Sequence, residues 1–188
     1  MIIKTKKESI EKIKQLNLNT FPAEVFDCNN LAKIEKFFLD NPAPEYVLRD
    51  SEKTSGKFFF VKNFDQCRQK LKNYKKNVTI CVSFNDLKDD IVLLGDIKVK
   101  KEISEDIVDI TARTDKEATH RNVYEKPEFN FHTNLEDDKL WNIPGFSKLI
   151  GYITEHELYD VIVEFVVFDC PAGNKKEKVV IIELRSEF

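Results

Sequence analysis

Apolar residues recur at helical spacing at the start of the chain. In KESIEKIKQLN (residues 7 to 17), Ile10, Ile13 and Leu16 share one stripe, and Asn17 and Asn19 offer a stop before Thr20, Phe21 and Pro22. In NNLAKIEKFFLDN an asparagine cap precedes a second stripe of Leu31, Ile34, Phe37 and Phe38, and Pro42 and Pro44 forbid its continuation. The period then shortens. PEYVLRD and KFFFVKN, joined by the Ser/Thr/Gly turn SEKTSG, read as a β-hairpin, and DQCRQKLKNY reads as a helix with Phe64, Cys67 and Leu71 on its inner side. VTICVSF, DIVLLGDIKVK and EDIVDITAR are three further strands, rich in β-branched residues. The polar stretch from Thr114 to Asn142 has little periodicity; it is long for a structureless connection, and is expected to dock on the body or to form a lid. GFSKLIGYITEHEL then carries Phe146, Leu149, Ile150 and Ile153 at helical spacing, and it feeds the strand DVIVEFVVFD, the turn CPAGNKKEK and the strand VVIIELR.

These elements predict an α+β domain with a largely antiparallel sheet and flanking helices. Residues 1–44 form a helical N-terminal part, 45–113 a hairpin, helix and sheet, 114–142 the lid-like stretch, and 143–188 a helix plus a terminal strand pair. A length of 188 residues suits one domain with a sizeable core. The 15 Phe against one Trp and one Met mean that large rings fill that core. Net charge is only −3, which argues against nucleic acid as a partner even though KNYKK (residues 72 to 76) is locally basic. A single-stranded nucleic-acid binder would fit the Phe-rich strands but not this balance. Cys28, Cys67, Cys81 and Cys170 are scattered, with no CxxC pair and no histidine at ligand spacing. With no signal peptide, that pattern points to reduced thiols and a cytoplasmic protein, and no apolar run approaches the ~18 residues of a membrane span.

Two strands carry charges where their pattern predicts burial. In VIVEFVVF, Ile162, Glu164, Val166 and Phe168 share one face and Val161, Val163, Phe165 and Val167 the other, so both faces are apolar except at Glu164. In VVIIELR, strict alternation places Glu183 on one face with Ile181 and Arg185. A buried carboxylate costs several kcal/mol unless it is paired, hydrogen bonded or bound to a cation. If the two strands pair, Glu164 and Glu183 can lie side by side, and a divalent cation with oxygen ligands, typically magnesium carrying a nucleotide phosphate, would relieve their repulsion. An internal salt bridge to Arg185, Arg49 or Arg113 would do so as well. Arg49, ahead of a Ser/Thr/Gly turn, is a candidate anion contact, though SEKTSG lacks the Walker spacing. His120, His132 and His156 have no serine or cysteine at recognisable spacing and read as surface residues.

The order of elements resembles the ATP-grasp fold, and the local strings are most similar to the nucleotide-binding domain of pyruvate phosphate dikinase and phosphoenolpyruvate synthase. LNLNTFP resembles that family's opening Leu-x-x-x-Gly-Ile-x-Val-Pro, LRDS its Val-Arg-Ser-Ser, IVEF its Asp-Ile-Glu-Trp, and IELR its Leu-Gln-Thr-Arg. The resemblance implies an ATP-binding module in which Arg49 holds phosphates, Lys62 reaches the nucleotide, Glu164 and Glu183 hold Mg2+, and Arg185 steadies the γ-phosphate as the catalytic cation. SEKTSG would be a reduced form of that family's glycine-rich lid. Ending at Phe188, the chain would lack the swivelling phosphohistidine domain and the acceptor-site domain, so a protein partner would supply the acceptor. The rival expectation is a non-catalytic interaction protein that keeps the fold and uses the same arginines and glutamates as a buried ionic network.

Overall fold

The structure is a computed structural model that describes residues 2–52, 58–114, 127, 129–169 and 178–186. Along the chain run helix α1 (Lys6–Gln15), strand β1 (Ala23–Asp27), α2 (Leu31–Asp40), β2 (Tyr46–Asp50), β3 (Phe58–Val61), α3 (Phe64–Leu71) and β4 (Asn77–Val82). After a 3-10 turn over Asn85–Asp90 come β5 (Ile91–Lys101), β6 (Asp106–Arg113), β7 (Phe129–Asn134), α4 (Asp138–Trp141), α5 (Phe146–Glu155), β8 (Val161–Phe168) and β9 (Lys178–Ser186). Among the described residues no helix is long and apolar enough to cross a membrane.

The expected α+β arrangement with antiparallel pairing is present, divided between two sheets. The first is four-stranded in the order β1-β4-β2-β3, and the second is five-stranded in the order β7-β6-β5-β8-β9. The polar stretch from Thr114 to Asn142 contributes β7 to the edge of the second sheet and then the short α4. The remainder expected to act as a lid, residues 115–126, and most of the SEKTSG turn lie outside the described residues.

Each sheet buries one face under helices. The amphipathic stripes of α2 and α3, Ile34, Phe37, Phe38, Cys67 and Leu71, pack against Tyr46, Leu48, Val61, Val78 and Ile80 of the first sheet. Helix α5 inserts Phe146, Leu149, Ile150 and Ile153 against Ile97, Val108, Ile110, Val163, Phe165 and Leu184 of the second. Phe146 and Phe165 are fully buried, and each such side chain contributes about 1.5–3 kcal/mol. Between the sheets, Phe21 stacks on Phe84 with ring centroids 5.7 Å apart and meets Phe168 edge-on at 5.9 Å. That cluster extends over Ile91, Val166 and Val180, so the opposite face of the second sheet is apolar at that end of β8 and β9.

Helix α1 ties the sheets together. Thr5 caps it in a reciprocal box: its Oγ1 accepts from the Glu8 N–H at 3.1 Å, and Glu8 Oε2 accepts from the Thr5 N–H at 3.0 Å. The backbone N–H groups of Lys4 and Thr5 hold the Glu8 carboxyl below the usual glutamate range. On one side Lys7 N–H donates to Ser51 O at 3.1 Å, just past β2. On the other, Ser9 Oγ accepts from Leu184 N–H at 2.9 Å, while Ile3 N–H donates to Ser186 Oγ at 2.9 Å and Ser186 N–H to Ile3 O at 3.0 Å. The first turn of α1 is thereby fixed against both sheets.

Candidate functional site

The face of the second sheet opposite α5 carries a row of charges. Register pairs Asp96 of β5 with Glu164 of β8, and Glu164 with Glu183 of β9, so the three carboxylates lie on one face of three adjacent strands. A β-bulge makes the last member possible. Phe165 pairs with Ile181 but Glu164 pairs with Glu183, so Ile182 is the extra residue of β9. Ile181 therefore packs in the core beneath α5 while Glu183 points to the opposite face, which corrects the shared face that strict alternation predicts for these two residues. Arg185, opposite Ile162, follows Glu183 onto the charged face.

Each carboxylate in the row has a cationic neighbour. Arg185 Nη2 donates to Asp96 Oδ2 at 3.1 Å, and its Nη1 lies 4.0 Å from Glu164 Oε2. Lys6 Nζ donates to Glu183 Oε2 at 2.5 Å, with the two side chains only 6% and 3% exposed. Lys6 is the first residue of α1, where the helix dipole disfavours a cation, so the buried carboxylate opposite it is what holds the ammonium there. Farther along the same face Asp109 is held between Lys100, at 3.0 Å, and His132 Nδ1. Partial burial pushes the Asp109 carboxyl upward, but the hydrogen bonds from His132 and Lys100 outweigh it and leave the group below its usual range.

Arg49 comes from the other sheet. It pairs in register with Thr79 of β4 and Phe58 of β3, and its guanidinium carbon stands 5.7 Å from the Phe58 ring centroid. Its Nε is buried with no hydrogen-bond partner among the described residues. Cys81, two residues along β4 from Thr79, records what faces this surface. Burial pushes its thiol up, Arg49 and Lys6 oppose the rise, and Glu183 reinforces it. Arg49, Lys6 and Glu183 thus act on one inter-sheet point. Lys62, by contrast, is exposed just beyond β3, where its N–H donates to Gln66 Oε1 at 2.9 Å.

The structure thus brings Glu164, Glu183 and Arg185 together, places Arg49 near Cys81, where Lys6 and Glu183 also act, and leaves Lys62 exposed beyond β3. Sequence reasoning passed over Lys6 and Asp96. Lys6 lies four residues before Ile10 and seven before Ile13, on the buried stripe of α1, which is the same signal that singled out Glu164. Asp96 alternates with the core residues Ile97 and Val99 along β5, a charged face legible in DIKVK.

Structural comparison reveals what this architecture is. N5-carboxyaminoimidazole synthetase from Staphylococcus aureus superposes with a TM-score of 0.59 at 11% identity, covering 97% of this chain and 44% of its own. D-alanyl-alanine synthetase A from Vibrio cholerae gives 0.55 at 10% identity, with coverages of 96% and 54%. The chain has the ATP-grasp fold. D-alanine–D-alanine ligase from Helicobacter pylori matches it at 0.55 and 14% identity over 96% of this chain and 53% of its own, so the chain spans about half the length of these ligases. These likenesses do not support the narrower resemblance to pyruvate phosphate dikinase. No protein-family profile matches the sequence, and no curated protein matches it.

Proposed function

We propose that this chain is the nucleotide-binding unit of an ATP-dependent, ligase-type activity, with phosphates seated between Arg49 on the first sheet and Arg185 on the second. The observation that carries the reading is Arg49. A buried guanidinium nitrogen without a hydrogen-bond partner among the described residues, on the inter-sheet face, is a donor suited to an anion. The fold supports the same reading, because two synthetases that share it were solved with ADP. Arg185 would steady the terminal phosphate, and Lys62 at the rim would add a second contact to the nucleotide. The acceptor would come from residues outside this chain, such as a protein partner.

Magnesium, the cofactor that accompanies ATP in the resemblance, would have to use Glu164 and Glu183. As arranged, these residues do not fit a divalent ion. Lys6 Nζ occupies one Glu183 oxygen, Oε2, at 2.5 Å while Oε1 accepts no hydrogen bond among the described residues, Arg185 lies 4.0 Å from Glu164, and no group of three His, Cys, Asp or Glu among the described residues is placed to hold a metal.

Calorimetric titration with ATP and ADP tests the proposal. Arg49→Leu should weaken binding about tenfold to a hundredfold, the worth of a charge-assisted hydrogen bond. An absence of heat with every nucleoside triphosphate at millimolar concentration would refute it. The ion pairs that occupy Glu183 and Arg185 favour a second reading, a non-catalytic interaction protein that keeps the fold with an internal ionic network. Under that reading nucleotide titrations are flat in wild type and variant alike.

A further inference from the structure

We propose that Lys6 and Arg185 stand in the carboxylate row of the second sheet where a divalent cation would sit, leaving it a single net negative charge, so that a phosphate-bearing ligand binds beside Arg185 without a metal. The second clause rests on the nucleotide-binding reading above; the first does not. Asp96, Glu164 and Glu183 occupy successive strands in register, the arrangement that would repel most and that an oxygen-coordinated metal would relieve. Here the relief is built into the chain. The Arg185 guanidinium bridges β5 and β8 through Asp96 and Glu164, and the Lys6 ammonium enters from α1 onto Glu183.

Magnesium requires oxygen ligands at about 2.0–2.1 Å in near-ideal octahedral geometry. Reaching Glu183 would mean expelling an ammonium that is 6% exposed and lies beneath α1, whose first turn is fixed by the Thr5–Glu8 box and by the Lys7–Ser51 and Ser9–Leu184 hydrogen bonds. Lys6 would then be a buried charge stripped of its carboxylate, which is strongly unfavourable. Arg185 is 21% exposed and has five N–H donors in a fixed fork. It can remain on Asp96 while meeting a phosphate oxygen, as a point-charge metal held by the same carboxylates would.

The test uses Mn2+ as the metal probe and ATP as the phosphate probe. Electron paramagnetic resonance of Mn2+ mixed with the wild-type chain should show only the free-ion signal up to about millimolar concentration, whereas Lys6→Met/Arg185→Asn, freed of both cations, should bind Mn2+ at least about tenfold more tightly. ATP affinity of the wild type should agree within about twofold between EDTA and excess Mg2+. Mn2+ bound by the wild type and lost in Glu164→Gln overturns the proposal, as does a tenfold or greater tightening of ATP binding by Mg2+. A folded double variant that still binds no Mn2+ overturns the alignment of the carboxylates on which the proposal stands. If ATP binds in neither condition, the nucleotide reading fails, while the Mn2+ result still decides whether the row takes a metal.

Discussion

Replacing Lys6 with methionine keeps an unbranched side chain one atom shorter and removes its charge, so it chiefly probes the buried pair with Glu183. Both side chains are almost completely removed from water and their charged atoms are 2.5 Å apart. Breaking such a pair from one side typically costs about 3–5 kcal/mol, because the remaining charge stays buried. Lys6 sits at the first position of α1, where a cation opposes the helix dipole, and losing it returns about 0.3–1 kcal/mol. The net expectation is a loss of roughly 2–4.5 kcal/mol. For a chain of this size that lowers Tm by about 4–18 °C. Lys6→Met/Glu183→Leu, which removes both charges, should recover most of the loss, since an apolar replacement of a buried pair is often neutral or stabilising. Urea unfolding followed by circular dichroism measures all three variants, and the shift should appear in the midpoint with m unchanged. A Lys6→Met cost below about 1 kcal/mol would show that the ammonium is hydrated in solution, and would refute the account of the carboxylate row.

Two further outcomes follow from the second sheet. Gly95 lies in β5 between β6 and β8, and a Cβ added there would stand 2.3 Å from Thr111 O and 2.6 Å from Ala112 Cβ. Gly95→Ala should therefore cost about 1–3 kcal/mol in the same urea assay, and a neutral result would place β6 farther from β5 than described. Asp109 has its folded-state pKa lowered, so its contribution to stability is fully present above the unfolded value and is lost as pH falls through the folded one. The Tm difference between wild type and Asp109→Asn should hold steady above about pH 5 and shrink progressively below about pH 4, reaching its limit only once the pH lies below the lowered folded-state value. A difference that persists at low pH would assign it to packing instead.

How much of this was legible depended on how local each feature is. Helices α2 and α5 follow directly from their stripes, and the strands of VIVEFVVF and VVIIELR from their length and β-branching. Strand β1 was passed over because in AEVFD only Phe26 is buried, so its alternation is nearly invisible; it exists through its pairing with β4. Strand β7 was hidden in the polar stretch for a related reason. It is an edge strand whose Asn130 and His132 lie opposite Thr111 and Asp109 on the charged face, so half of its pattern is hydrophilic. The split into two sheets leaves no mark on periodicity, which reports that a strand has two faces but not which strand lies beside it.

The candidate site depends on the one feature that alternation cannot show. Strict period two would have turned Glu183 and Arg185 toward the core face, where Ile181 lies among the residues packed beneath α5. The extra residue Ile182 resets the phase, so that Glu183 meets Glu164 and Arg185 reaches Asp96 while Leu184 still fills the core. A bulge costs ladder hydrogen bonds and is kept where it re-aims a side chain. Here it delivers a carboxylate and a guanidinium to the face that carries Asp96 and Glu164, and it brings Glu183 within reach of Lys6 from a helix that begins 177 residues earlier. The charges in VVIIELR therefore do not point to the face packed beneath α5. They are the part of β9 whose phase was shifted so that the face opposite α5 receives them.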